Sequence, residues 1–98
     1  PALDVMALLL KKGAKVSYHD PYVPHIDGEH WTGGQHMSSQ PYNRAALAAA
    51  DCVVILTDHK AFDVAEIVAV SRVVVDTRNA VKVPAPTVFK LGAPNPKA

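Results

Sequence analysis

ADCVVILTDHKAFDVAEIVAVSRVVVDTRNA, residues 50–80, is the stretch that decides the fold. Cys52 to Thr57 is a nearly uninterrupted apolar, β-branched run, the pattern of a strand buried on both faces. Asp63 and Glu66 stand at capping-box spacing, and Val64, Ile67, Val68 and Val70 supply the apolar stripe of a short helix. Arg72 to Thr77 repeats the buried-strand pattern and ends in Asp76, Thr77, Arg78 and Asn79. Two continuous apolar strands separated by a helix argue for a parallel sheet.

Outward toward the N-terminus, Asn43 is placed to cap a short helix through Ala50. Leu3, Met6 and Leu10, with Val5, Leu8 and Leu9 beside them, make Pro1 through Gly13 a helix with a broad apolar face. Lys11 and Lys12 suit its negative end, and Gly13 stops it. Lys15 to His19 alternates and ends at Asp20-Pro21, which predicts a strand that stops where proline cannot continue a ladder. Between Tyr22 and Gln40 there is no period, so a long functional or mobile loop of about 18 residues is expected. Toward the C-terminus, Thr87 to Leu91 has strand character. The connection from Asn79 to Pro86 is short for a parallel crossover, which leaves that strand's direction open. The alternating order of helices and strands gives an α/β fold class: a Rossmann-like, doubly wound parallel sheet in three layers, α/β/α.

Composition bounds the function. The chain has 98 residues, 49% hydrophobic and 19% charged, which fits one small folded domain. Ten Lys+Arg against nine Asp+Glu give a formal charge of +1, which removes the electrostatic case for a nucleic-acid or anionic-membrane partner. Apolar runs such as Val53 to Leu56 are far shorter than the roughly 20 residues a membrane span needs. No secretory leader pattern opens the chain and Cys52 is its lone cysteine, so a reducing, cytoplasmic setting is expected. Inside its strand, Cys52 is expected to be a buried, inert thiol.

In doubly wound sheets ligands bind in the crevice outside the carboxyl ends of the strands. The polar tips His19-Asp20, Thr57-Asp58-His59 and Asp76-Thr77-Arg78-Asn79 are expected on one such edge. Asp20, Asp58, His59 and Asn79 are candidates for the edge of the site, against the plain alternative that such residues form turns and caps. Arg78 is the candidate substrate-binding residue, because a planar five-donor cation after a buried strand suits a phosphate or carboxylate. The alternative for Arg78 is a structural ion pair to Asp76 or Asp58. His25, His30 and His36 share the long loop, but their spacing matches no short zinc motif, so no metal site is assigned. Trp31 reads as a cover for sheet or helix surface rather than a base-stacking platform.

Four segments in register also resemble a known family: Pro1-Ala2-Leu3-Asp4, Val16 to Pro24, Ala50 to His59 and Val74 to Ala80. They look like the C-terminal, UDP-binding domain of the UDP-glucose/GDP-mannose dehydrogenase family. The Asp76-Thr77-Arg78-Asn79-Ala80 wording is most similar to the branch acting on UDP-N-acetylhexosamines. The resemblance implies a three-part enzyme with an N-terminal NAD-binding domain, a central dimer-making segment and a C-terminal domain holding the UDP-sugar. Such enzymes oxidise the sugar C6 alcohol to a carboxylate in two NAD-dependent steps for polysaccharide precursor synthesis. They use a cysteine upstream of this domain, so Cys52 takes no catalytic role and no catalytic residue is assigned here. Arg78 matches the family's arginine after this strand, which looks like a nucleotide-sugar contact.

No Gly-x-Gly-x-x-Gly precedes a helix, so NAD is expected on the absent N-terminal domain. A start at Pro1 hints at a fragment that lacks the first, central strand of its sheet, with the remainder of the dehydrogenase chain as partner. Unsatisfied strand edges then predict exchange between copies or a rearranged sheet, in a homo-oligomer. The competing class is a non-catalytic, flavodoxin-like receiver or interaction module, which would need an acidic pair and a phosphorylatable Asp at a strand end.

Overall fold

The computed structural model describes residues 2–29, 31–57, 59–60 and 62–91. The chain divides between Pro41 and Tyr42 into two compact units.

The first unit opens with α1 (Ala2–Lys11), which has Asp4 in its first turn, Lys11 in its last and Met6 buried. Charges so placed complement the helix dipole. Ala14 N donates to Leu9 O and Gly13 N to Leu10 O, both at 3.0 Å, with Gly13 at φ 93°. This is a Schellman stop, and the glycine is there because its φ is positive.

The strand expected at Lys15 to His19 does not form; residues 14–20 run without a ladder. Alternation equips a segment to be extended, but a strand also needs a neighbour with free backbone groups. Here the contacts are scattered: Gln40 N donates to Tyr18 O at 2.8 Å, and Asp20 N to Ser39 Oγ at 2.9 Å. The expected loop at Tyr22 to Gln40 instead contains an antiparallel hairpin, β1 (His25–Ile26) with β2 (Met37–Ser38), pairing His25 with Ser38 and Ile26 with Met37. Ile26 is its buried residue. Two residues per strand are too few for a period to show in the sequence.

Trp31 folds over its own turn, donating from Nε1 to Gln35 O at 2.7 Å. A Cβ on Gly33 would lie 2.5 Å from the indole ring, so a side chain there would require the ring to move.

The second unit holds the parallel sheet. α2 (Arg44–Ala49) is capped by Asn43, whose Oδ1 accepts from Ala46 N at 2.8 Å. β3 (Val53–Ile55) follows, then α3 (Val64–Val70), capped by Asp63 Oδ1 accepting from Glu66 N at 3.2 Å. β4 (Val74–Asp76) and β5 (Val88–Lys90) complete a sheet of order β3-β4-β5. Both pairings are parallel, with Val53 beside Val74 and Val74 beside Val88. The direction left open by the sequence is therefore parallel for β5.

Leu47 of α2 and Ile67 of α3 pack with Ile55, Val74 and Val88 on one face of the sheet, together with Ala80 and Val81 from the β4–β5 connection. Arg44 Nη1 of α2 meets Glu66 Oε2 of α3 at 3.1 Å. The fold is thus the expected α/β type, a parallel sheet in the Rossmann manner whose crossover helix is α3, between β3 and β4. Among the described residues no helix is long and apolar enough to cross a membrane.

Cys52 departs from expectation. The strand starts at Val53, which leaves Cys52 in the turn after α2 and exposed rather than buried. Desolvation still pushes its thiol above the ordinary value. A thiol so shifted supplies less thiolate, so it is a poor nucleophile even where solvent reaches it.

Candidate functional site

The carboxyl ends of β3, β4 and β5 form one edge, and the end of β4 builds the most detailed structure on it. Thr77 N and Thr77 Oγ1 both donate to Ile55 O, at 3.1 and 2.7 Å, and lock the tip of β4 to that of β3. Asp76 is 1% exposed. Its Oδ1 accepts from Arg78 N at 3.0 Å and Ala80 N at 3.1 Å, and its Oδ2 from Val81 N at 2.8 Å. Lys90 Nζ, on the neighbouring strand, stands 3.9 Å from the same Oδ2.

Burial opposes ionisation of Asp76. The N–H groups of Val81, Ala80 and Arg78, with the Lys90 charge, outweigh it and hold the carboxyl below its ordinary value. A buried carboxylate satisfied in this way is a structural anchor for the turn that follows. A phosphorylatable receiver aspartate must be reachable from solvent, and Asp76 is not.

The anchored turn presents Arg78. Its backbone N–H is spent on Asp76, its side chain is exposed, and among the described residues its guanidinium has no hydrogen bond or ion pair. The structural ion pair to Asp76 that the sequence left open is not made, because backbone donors and Lys90 occupy that carboxylate. Asp58, the other partner considered for Arg78 and a candidate edge residue itself, lies outside the described residues. Asn79 follows at φ 55°, a left-handed conformation that asparagine tolerates better than most residues. Its Oδ1 accepts from Lys90 Nζ at 2.6 Å and its carbonyl from Lys82 Nζ at 2.7 Å.

The other candidates serve local structure. His59 is half-buried, with its ring edge-on to Phe62 at 5.7 Å, and its carbonyl accepts from Phe62 N at 3.0 Å. Asp20, in the first unit, forms a turn by accepting from Tyr22 N at 2.8 Å. His19, Asp20, Pro21 and Pro24 line a shallow cleft of about 390 Å³ with Ser39, Gln40 and Pro41. Of the loop histidines, His25 and His36 stack at 6.1 Å and His30 lies outside the described residues.

Two residues of this edge were not among the candidates read from the sequence, Asp76 as anchor and Lys90 as the cation beneath the turn. An Asp closing a buried strand ahead of a polar turn is the available signal for the first. Lys90 gave none, since its place depends on the direction of β5.

No curated protein and no solved structure matches the chain. Residues 1–83 match the family model described as the UDP-glucose/GDP-mannose dehydrogenase family, UDP binding domain. That span takes in the parallel pair β3–β4 and the turn bearing Arg78, and with most of its length so matched the chain belongs to the UDP-glucose/GDP-mannose dehydrogenase family, as its UDP-binding domain.

Proposed function

We propose that this chain is the UDP-sugar-binding part of an NAD-dependent nucleotide-sugar 6-dehydrogenase, which in its complete form oxidises the sugar C6 alcohol to a uronic acid for cell-surface polysaccharide precursors. The observation that carries the reading is Arg78, an exposed guanidinium without a protein partner among the described residues, on a turn fixed by a buried carboxylate. Five donors in a rigid fork suit a diphosphate or another polar group of a nucleotide-sugar. Fixing the turn before the ligand arrives lowers the ordering cost of binding. Asn79 and His59, in the same unit as Arg78, are the further edge residues of this reading.

NAD does not fit the residues present. The connection from β3 to α3, residues 56–63, contains no glycine, whereas a pyrophosphate loop needs close backbone approach at glycines. This reading gives the cofactor to the remainder of the dehydrogenase chain and the binding of the UDP-sugar to these 98 residues. The wording around Arg78 favours a UDP-N-acetylhexosamine as substrate. The reading carries with it a homo-oligomeric, cytoplasmic enzyme.

Isothermal titration of UDP into the chain and into Arg78→Ala tests the proposal. Loss of a charge-assisted contact should weaken UDP about 10- to 100-fold. Equal affinity of the two chains refutes the role given to Arg78.

A further inference from the structure

Lys90 is the hub beneath the Arg78 turn. Its Nζ donates to Asn79 Oδ1 at 2.6 Å and to Val81 O, and stands 3.9 Å from Asp76 Oδ2. Three acceptors therefore surround one ammonium group, which has three donors and no acceptor capacity of its own. The Lys90 side chain is only 25% exposed, so it is committed to this task rather than waving in solvent. It arrives there because β5 runs parallel to β4 with Lys90 beside Asp76. It also lies beyond residues 1–83, the span matched to the family.

The residues it holds bracket Arg78. Asp76 precedes it and fixes its N–H; Asn79 follows it in a left-handed conformation, with its side-chain oxygen held by Lys90. Lys82 adds a further bond to the same turn by donating to Asn79 O. An exposed arginine carries considerable rotamer entropy, so what the fold can fix is the backbone from which it projects.

We propose that Lys90 is a positioning residue for nucleotide binding, acting through the turn 78–81 to hold Arg78 where it meets UDP. This rests on the binding role given to Arg78 above. Lys90 does not itself contact the ligand, so its effect exists only while Arg78 is present.

A double-mutant cycle with UDP as the titrant reads this directly. Lys90→Met keeps the aliphatic stem and removes the charge. It should weaken UDP about tenfold in the parent chain and by less than about twofold in the Arg78→Ala background. Unchanged affinity in a folded Lys90→Met chain overturns the proposal, and so does an equal loss in both backgrounds, which would mean that Lys90 touches the ligand or acts elsewhere. Where Lys90→Met does not fold, Lys90→Gln removes the same charge while keeping a polar group for the acceptors around it. Its loss of UDP affinity must likewise vanish without Arg78, and the same loss in both backgrounds overturns the proposal. Failure of the Arg78 reading itself shows separately, in the comparison of the parent with Arg78→Ala alone.

Discussion

Asp76→Asn removes a charge while keeping the shape, and the geometry around the carboxylate sets the cost. Oδ1 serves Arg78 N and Ala80 N, while Oδ2 serves Val81 N and faces Lys90. An amide has one acceptor oxygen. With that oxygen in the Oδ1 place, the new NH2 group meets the Val81 N–H donor to donor, at a residue only 2% exposed. The flipped amide strands two N–H groups instead of one. The better orientation still loses one bond to a charged acceptor, about 1.5–3 kcal/mol, and weakens two others from charged to neutral. The sum is about 3–5 kcal/mol, a large share of the roughly 5–15 kcal/mol by which a domain is stable.

Urea unfolding followed by circular dichroism measures the loss. At a slope near 2 kcal/mol/M the midpoint should fall by about 2 M with the slope unchanged. A fall below about 0.5 M would refute the account of Asp76 as the anchor of the turn.

The pH dependence follows from the direction of the shift. The folded carboxyl lies below its ordinary value, so the unfolded chain binds the proton more tightly. The stabilisation is complete above the unfolded pKa and is lost as pH falls through the folded one. Asparagine does not titrate, so the gap between the two midpoints should be full at neutral pH and close in acid.

Ser71 Oγ is buried without a hydrogen-bond partner among the described residues, so Ser71→Ala should stabilise the chain by about 1 kcal/mol in the same urea assay, and a destabilised variant would reveal a partner. Gly13 has φ 93° with open space around an added Cβ, so Gly13→Ala should cost about 1–2 kcal/mol through the backbone alone, and Gly13→Asn less. Arg78→Ala should leave stability within about 0.5 kcal/mol, because the guanidinium holds nothing in the fold; a larger loss would return Arg78 to a structural role.

What the sequence disclosed of the fold follows from where its signals are local. Asn43 and Asp63 act as helix caps because a short side chain and the N–H three residues on are all that such a bond needs. Gly13 ends α1 for an equally local reason. Lys15 to His19 misled because alternation describes a segment's faces and says nothing of its neighbours. The hairpin β1–β2 escaped for the opposite reason: its register is set by four residues, of which only Ile26 is buried. Cys52 misled by one position, since a β-branched run marks a strand's interior better than its first residue.

Arg78 stood out as a candidate because an arginine after a buried strand is unusual on its own terms, and of its supports only Asp76, closing that strand, offered a signal. The parallel course of β5 looked too short for a crossover because such connections normally carry a helix. Here Ala80 and Val81, both buried, enter the core in place of one, and Asp76 satisfies the backbone N–H groups that this burial would otherwise orphan. The anchor that makes the short connection possible is therefore also what fixes the turn beneath Arg78. Direction, turn and exposed cation are one construction, in which Arg78 and Asp76 carry signals of their own in the sequence and Lys90 carries none. A carboxylate already occupied by three N–H groups and a lysine has little left with which to hold an arginine, so the completeness of the Asp76 site is what leaves Arg78 available to a ligand.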